Sequence, residues 1–252
     1  MPAPKKIYGL VGYPLGHSFS RKFFTEKFEA EHINAEYRNF EFSDLLEFAP
    51  LIGLNDSICG FNVTIPYKEK IMAFLNSISP EAREIGAVNT VKISHTPSGE
   101  INLSGYNTDI VGFTESIRPH LKGGNHSKAL VLGTGGASKA IVAGLRKLSI
   151  EPTLVSRTPA EGRLTYSDLT PEVMASHTVI VNTTPLGMWP NVDSCPPIPY
   201  ELLTSTHVCF DAVYNPDPTL FMSLAEKKGA TAIGGLEMLH IQALTAWQIW
   251  ND

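Results

Sequence analysis

The sequence has little cysteine, no long apolar run and no excess of basic residues, and each shortage argues against a class of protein. Its three cysteines, Cys59, Cys195 and Cys209, are odd in number and widely spaced, which predicts reduced thiols in a cytoplasmic protein. No run of about 18 apolar residues occurs, so no transmembrane helix is expected. Lysines and arginines number 20 against 25 aspartates and glutamates, a net charge of −5, which argues against general nucleic-acid binding.

Two further absences argue against a metal site and a secretory signal. The histidines show no metal-ligand spacing with one another or with cysteines, so no metal is expected. The first residues lead into a predicted strand and lack the apolar core of a secretory signal. The chain has 252 residues, 43% of them hydrophobic, which is enough for one large domain or two modest ones.

A glycine-rich turn carries the clearest functional signal. An apolar run over 129–132 ends at Gly133, and Gly135 and Gly136 follow before a helix predicted from Ala137. In such a turn the first glycine permits a sharp exit, the second lets the backbone approach a pyrophosphate, and the third, or Ala137, lets the helix pack closely. The helix N-terminus favours an anion. The stretch predicts a dinucleotide site; the alternative is a loop that binds nothing.

The next predicted strand indicates which dinucleotide is bound. It covers 153–156, where an NAD site of this type carries an acidic side chain for the ribose hydroxyls. This chain has Ser156, Arg157 and Thr158 instead. A guanidinium forms two parallel hydrogen bonds with phosphate oxygens, so NADP is favoured over NAD. The alternative is an ordinary surface arginine after a strand.

Apolar runs and turn residues divide the chain into two α/β parts. The first part is predicted to mix parallel and antiparallel strands. In the second part strands and helices alternate, which predicts a parallel, doubly wound sheet of the Rossmann type. A last helix at 236–250 is expected to return to the first part. The predicted strands are 7–11, 36–42, 61–64, 86–93, 100–104, 129–132, 153–156, 179–182, 208–212 and 231–233, and the other predicted helices include 22–31, 67–75 and 108–120.

Polar side chains follow several strands of the first part. In open α/β sheets ligands bind beyond the carboxyl ends of the strands, and hydroxyls, amides, one cation and one carboxylate together suit a small polyhydroxy acid. Taken singly, each residue is explained as well by a helix cap, a turn or a solvated lysine. The set is Ser18, Ser20, Asn62, Thr64, Lys68, Asn89, Thr90, Asn107, Thr108 and Asp109.

Several short motifs occur in one order along nearly the whole chain, and together they resemble the shikimate dehydrogenase family. The motifs cover residues 62–68, 86–90, 105–109, 133–138, 182–188, 214–216 and 234–242. The resemblance implies a substrate domain over 1–105, completed by 236–252, and an NADP-binding Rossmann-like domain over 106–235.

The resemblance also implies roles for individual residues. Lys68 matches the catalytic lysine and Asp109 its partner carboxylate. The remaining matches fall into two groups. The substrate group comprises Ser18 and Ser20 for a carboxylate, Thr64, Asn89, Asp109 and Gln242 for hydroxyls, and Tyr214 nearby. The NADP group comprises Gly133, Thr134, Gly135, Gly136, Ala137 and Ser138 at the pyrophosphate, Ser156, Arg157 and Thr158 at the adenosine phosphate, and Thr183, Ala212, Gly235 and Met238 along the cofactor.

Some residues depart from the family pattern. Arg21 stands where proline is usual, and Phe23 and Phe24 replace a usual His-Asn pair. Glu161 stands where a second basic residue is common, which predicts a lower affinity for the cofactor phosphate, with Arg163 as the candidate to compensate.

The implied activity is the reversible, NADPH-dependent reduction of 3-dehydroshikimate to shikimate, a step toward chorismate and the aromatic amino acids. It requires a small-molecule substrate and NADP, and no nucleic acid, membrane or obligate protein partner. Two alternatives stay open at this point. One is a quinate/shikimate dehydrogenase, which is often NAD-linked, and the other is a non-catalytic ligand sensor on the same fold.

Overall fold

The computed structural model describes residues 4–16, 19–53, 57–96 and 98–252. Its strands are β1 Lys6–Gly12, β2 Ala35–Glu41, β3 Ile58–Val63, β4 Ser77–Ile78, β5 Thr90–His95, β6 Ile101–Tyr106, β7 Lys128–Leu132, β8 Glu151–Ser156, β9 Arg163–Thr165, β10 Val179–Asn182, β11 Val208–Asp211 and β12 Thr231–Ile233. Its α-helices are α1 Phe19–Ala30, α2 Phe48–Gly53, α3 Pro80–Ile85, α4 Asp109–Ile117, α5 Gly136–Lys147, α6 Pro171–Ser176, α7 Leu220–Glu226 and α8 Leu236–Asn251.

The chain divides into two compact units. The first unit comprises Met1–Thr108 together with Ala243–Asp252, and the second comprises Asp109–Gln242. Both divisions fall later than the predicted boundaries at 105/106 and 235/236. Asn107 and Thr108 stay with the first unit because they are hydrogen-bonded to Ala87 and Asn89. Helix α8 contributes to both units along its length.

The first unit contains a mixed six-stranded sheet in the order β2-β1-β3-β5-β6-β4. Strands β1, β2 and β3 are parallel, whereas β5 runs antiparallel to β3 and β6. One face packs on a core that includes Val11, Phe48, Phe61 and Ile71. The predicted antiparallel character is therefore confirmed, and it lies in the β5–β6 hairpin and its pairing with β3.

The other core of the first unit is aromatic and includes the end of α8. Trp250 is buried, stacks on Tyr8 with ring centroids 4.9 Å apart, and donates a hydrogen bond from Nε1 to Val91 O at 3.0 Å. Phe24 and Phe28 of α1 complete the cluster. The end of the chain is therefore a structural part of the first unit, as the sequence predicts for this helix.

Trp250→Ala is expected to lower the free energy of unfolding by about 3–5 kcal/mol, because it leaves a large cavity and an unpaired carbonyl. Urea unfolding checks this value, with Trp189→Ala as the matched control. Trp189 is 60% exposed, so its removal should change stability by about 0.5 kcal/mol or less. A loss for Trp250→Ala as small as that expected of the control would show that the α8 end is dispensable for the first unit.

The second unit contains a six-stranded sheet whose strands are all parallel, in the order β12-β11-β10-β7-β8-β9. If β7 is numbered 1 and the sheet is read from β9 to β12, the strand order is 3-2-1-4-5-6. This is the doubly wound arrangement of dinucleotide-binding sheets. Helices α4 and α5 bury one face, through Phe113, Ile141 and Leu145, and the other face packs on Met174 and Phe221. The predicted Rossmann-type sheet is confirmed.

One crossover of this sheet is unusually short. Strands β8 and β9 pair in parallel, from Leu154 with Arg163 to Ser156 with Thr165, and only 157–162 connect them. A parallel crossover normally takes a dozen or more residues and includes a helix, and this one has none. The connection begins with Arg157.

Strands β10 and β12 have the predicted bounds, but the helix predicted over 67–75 is wrong. The structure has a 3₁₀ turn over Lys70–Phe74 instead. The carbonyl of Lys68 accepts the N–H of Val88 and is thereby taken out of helical pairing. The strand predicted from 86 begins at Thr90, because Gly86, with φ +70°, ends helix α3. The helix predicted over 108–120 ends at Ile117.

Candidate cofactor and substrate sites

The glycine-rich turn lies at the point where the strand order of the second unit reverses. Gly133 directly follows β7 and has φ +107°, a conformation that favours glycine. A Cβ built there would lie 2.8 Å from Thr183 Oγ1. Thr183, after β10, donates from its backbone N and its Oγ1 to Leu132 O at 2.9 and 2.7 Å. The two strand ends are thus fastened together beneath this turn.

Helix α5 begins one residue earlier than predicted, at Gly136, and Gly135 is its N-cap. Nothing lies within 4 Å of a Cβ built on Gly135 or Gly136, so the space in front of the helix N-terminus is open. The predicted packing role of Gly136 is therefore wrong. The close-packed glycine of this helix is Gly144, whose Cβ would lie 2.7 Å from the ring of Phe113.

A cavity of about 490 Å³ opens beside this turn. Seven of the residues predicted at the cofactor line it: Gly133, Thr134, Gly135, Ser156, Arg157, Thr158 and Thr183. Sequence reasoning missed the other lining residues, which are Val155, Tyr166, Thr184, Pro185, Leu186 and Pro197.

The β8 end of the cavity combines a cation with an aromatic ring. Ser156 is buried and donates from Oγ to Thr158 O, which fixes the turn that presents Arg157. Burial raises the pKa of Tyr166, while the positive charge of Arg157 acts in the opposite direction, so the guanidinium lies near the phenol. An aromatic face beside a cation suits a planar base that carries a phosphate.

The other residues predicted at the cofactor lie outside the lining of this cavity. Ser138 is buried and donates to Gly135 O at 2.6 Å, within the first turn of α5. Met238 is buried in the apolar core. Gly235 donates from its backbone N to Val213 O, and its Cβ would lie 2.6 Å from Ala212 O. Gly136 and Ala137 belong to the first turn of α5.

In the first unit, a buried polar network joins the ends of the strands. Asn62 accepts a hydrogen bond at Oδ1 from Tyr37 Oη at 2.8 Å and donates from Nδ2 to Thr90 Oγ1 at 3.3 Å. Asn89 accepts at Oδ1 from the backbone N of Thr108 at 2.7 Å. All five of these residues are buried. Because their polar groups are paired, the network fixes the loops that carry the predicted substrate residues.

Three predicted site residues of the first unit, one catalytic and two substrate-binding, lie around this network. Lys68 and Thr64 are half-buried after β3, and the carbonyl of Lys68 accepts from the N–H of Val88, next to Asn89. Ser20 lies in the first turn of α1 and is hydrogen-bonded to Tyr37. Burial raises the pKa of Tyr37, so this phenol is a neutral link between α1 and the network. Ser18 lies outside the described residues.

The remaining predicted substrate residues belong to the second unit. Asp109 and Gln242 are buried, in the first turn of α4 and in α8, and Gln242 donates to Leu239 O. The two helices meet at Gly112, whose Cβ would lie 3.2 Å from the Cβ of Gln242. Tyr214 is half-buried after β11. The predicted pairing of Lys68 with Asp109 stays a prediction.

No helix within the described ranges is long and apolar enough to cross a bilayer. Across the same ranges, no cluster of three or more histidine, cysteine or acidic side chains is arranged to hold a metal ion. The absence of a metal from the working protein stays a prediction.

The reversal point, the glycine turn and the open space before α5 define a Rossmann-type dinucleotide-binding protein. The NADP-dependent shikimate dehydrogenase of Methanococcus aeolicus is 36% identical over 98% of this chain and 92% of its own length. The chain belongs to the shikimate dehydrogenase family.

Further comparisons agree with this membership. The family profile described as the shikimate dehydrogenase substrate binding domain matches residues 10–91. The crystal structure of shikimate dehydrogenase from Aquifex aeolicus is 33% identical, with a TM-score of 0.85 over 100% of this chain and 94% of that one. Shikimate 5-dehydrogenase from Thermus thermophilus, solved in complex with NADP(H) and shikimate, is 31% identical, with a TM-score of 0.82 over 97% of this chain and 93% of that one.

Proposed function

We propose that this chain is an NADP-dependent shikimate dehydrogenase, an oxidoreductase that reduces 3-dehydroshikimate to shikimate and catalyses the reverse reaction. The observation that carries the proposal is the cavity at the carboxyl edge of the second sheet, lined by Gly133, Gly135 and Arg157. The sequence identity of 36% and 35% to relatives named as NADP-dependent shikimate dehydrogenases, over 98% of this chain, supports the same assignment.

The residues present fit NADP. The open space at Gly135 and Gly136 leaves room for a pyrophosphate in front of the α5 N-terminus. Arg157, with Ser156 and Thr158, would hold the 2′-phosphate, and Tyr166 would flank the adenine. We assign the second half of the sheet, with Ala212, Gly235 and Met238, to the nicotinamide end. When bound, NADPH supplies the hydride for the ketone carbon.

The substrate would be held by the polar groups of the strand ends. Ser18 and Ser20 would bind the carboxylate, and Thr64, Asn89 and Gln242 the ring hydroxyls, with Tyr214 nearby. Lys68 would give a proton to the forming alkoxide or stabilise its negative charge, while Asp109 orients the lysine. Positioned proton transfer contributes about 10²–10⁴ in rate, and a preorganised cation at the oxygen adds to it.

Ser20→Ala is expected to raise the KM for shikimate about 10- to 100-fold, because one hydrogen bond to a charged group is lost. Thr25→Ala is the matched control: Thr25 is exposed on the same helix and its hydroxyl donates to Arg21 O. Steady-state kinetics with shikimate and NADP check both variants. An unchanged KM for Ser20→Ala would place the carboxylate elsewhere.

The proposal as a whole is tested by the absorbance of the reduced nicotinamide. The wild-type protein should reduce NADP with shikimate, with less activity on quinate and with NAD. Equal or faster turnover of quinate with NAD would support a quinate/shikimate dehydrogenase. Saturable shikimate binding without turnover would support the ligand sensor, although a sensor has no need of both Lys68 and Asp109.

The cellular setting is part of the proposal. We propose that the protein works in the cytoplasm, in the pathway to the aromatic amino acids, without an obligate protein partner. Its three cysteines are unpaired thiols, which agrees with a reducing compartment. We assign substrate binding to the first unit and NADP binding to the second.

A further inference from the structure

A carboxylate is buried at the end of β11. Asp211 has no exposed surface. Its Oδ1 accepts hydrogen bonds from Asn182 Nδ2 at 2.9 Å and from the Val213 backbone N at 3.0 Å, and its Oδ2 accepts from Thr219 Oγ1 at 2.6 Å. These donors are all neutral. A carboxylate only accepts, so it satisfies all three donors at once, and its negative charge is held in a buried place by neutral groups.

The position of Asp211 points to the nicotinamide half of the dinucleotide. Each half of a doubly wound sheet binds one mononucleotide beyond the strand ends. Arg157 and the cavity occupy the half that begins with β7, whereas β11 belongs to the other. The backbone that follows the carboxylate is packed tightly, since Gly235 donates to Val213 O and abuts Ala212 O. Asp211 is the last residue of β11 and so lies at the carboxyl end of this strand.

We infer that Asp211 sets the preference between the two redox forms of the cofactor, because its buried negative charge stabilises the cationic nicotinamide of NADP⁺ over the neutral ring of NADPH. The inference rests on the proposed function. The two forms differ by this one charge and share every other group. In a site of low dielectric, such a charge is felt across several ångströms. The same field favours the positive charge that develops on the ring when hydride leaves it.

Asp211 is the titratable group whose charge changes near pH 6, because Tyr200 and Cys209 near it stay neutral there. Burial is the main cause that raises its pKa, to about 6, and the three hydrogen bonds act against it. Tyr200 lies within electrostatic range of Asp211, and burial raises the pKa of this phenol. Cys209, near Tyr200, has its pKa raised to about 12 by burial. Both therefore stay neutral around pH 6, where Asp211 gains a proton and loses its charge.

The test compares the dissociation constants of NADP⁺ and NADPH, measured without substrate by calorimetry and by cofactor fluorescence. Asp211→Asn keeps the shape and removes the charge. It should raise the ratio of the NADP⁺ constant to the NADPH constant about three- to tenfold. Thr219→Val removes the hydrogen bonds of Thr219 to Asp211 Oδ2 and from Met222 N. Because the first of these bonds lowers the pKa of Asp211, the ratio should stay constant at a pH well above that pKa, and its rise on acidification should begin at a higher pH than in the wild type. An unchanged ratio in Asp211→Asn overturns the inference.

A pH series on the wild-type protein provides a second measurement that does not depend on the folding of a variant. The ratio should rise as the pH falls through about 6, and it should be flat in Asp211→Asn. The 2′-phosphate also titrates near pH 6, but it is common to both cofactor forms and cancels from the ratio. A flat wild-type ratio overturns the inference. Failure to bind either form would instead overturn the proposed function.

Discussion

Lys68→Ala is expected to lower kcat by about 10²–10⁴, the range of general acid–base effects. The substitution removes the ammonium group that we assign to the oxygen on which negative charge develops. The KM for shikimate and the midpoint of thermal unfolding should change little, because the lysine side chain is only half-buried and its carbonyl still accepts from Val88. Steady-state kinetics and a thermal melt on the same preparations measure these values.

Lys70→Ala is the matched control for this substitution. Lys70 is exposed at the start of the following 3₁₀ turn, so its removal changes the surface charge equally and leaves the site alone. Its kcat should equal that of the wild type. A near-normal kcat for Lys68→Ala with a lowered melting temperature would mean that Lys68 serves only as an ion-pair partner.

The pairing of Lys68 with Asp109 is decided by a double-mutant cycle. Asp109→Ala should lower kcat in the same direction. The double variant should lose less than the product of the two single losses, because residues that work as a unit are not additive. If the loss of kcat in the double variant equals the product of the two single losses, Lys68 and Asp109 act independently.

Arg157→Ala is expected to raise the KM for NADP about 10- to 100-fold while the KM for NAD stays nearly constant. The guanidinium is assigned to the 2′-phosphate, and a hydrogen bond to a charged group contributes about 1.5–3 kcal/mol. Arg157→Lys should recover part of the loss, since an ammonium keeps the charge without the planar pair of donors. Initial rates at varied NADP and NAD measure the two constants.

The control for Arg157 is Arg146→Ala. Arg146 is exposed in the last turn of α5, at the end of the helix away from Gly135, so both KM values should match the wild type. Equal losses with NADP and NAD in Arg157→Ala would show that this residue does not distinguish the 2′-phosphate. Arg163→Ala then measures whether the cation on β9 compensates for Glu161.

Five of the six strands of the second unit could be predicted to within two residues of their bounds, whereas β9 was missed. Strands β7, β10 and β11 are buried on both faces, so they appear as apolar runs between turn residues. The predicted bounds 179–182 and 231–233 match β10 and β12. Short helices were harder to recognise. Helix α3 was missed, although Ser79 caps it, Pro80 begins it and Gly86 ends it. So short a helix offers too little apolar periodicity to outweigh a neighbouring strand pattern.

The residues of the candidate site also fall into those that the sequence could predict and those that it could not. The glycine turn and Arg157 are contiguous in sequence with the strands that present them, so spacing alone predicted them. Tyr166 joins the cavity only through the pairing of β9 with β8, and Asp211 becomes notable only because Asn182 and Thr219 surround it. Both depend on contacts between distant parts of the chain, for which one sequence gives no signal.

The short crossover between β8 and β9 bears on how cofactor preference can change in evolution. Where a helix fills such a connection, an altered loop must also be accommodated in the packing of the sheet face. Here 157–162 join two paired strands, their carbonyls at Thr158 and Ala160 accept hydrogen bonds from Ser156 Oγ and Arg163 N, and the residues are exposed. Exposed loop residues tolerate substitution with little loss of stability. Selection can therefore change this segment, and with it the phosphate specificity that we assign to Arg157, with little effect on the packing of the sheet.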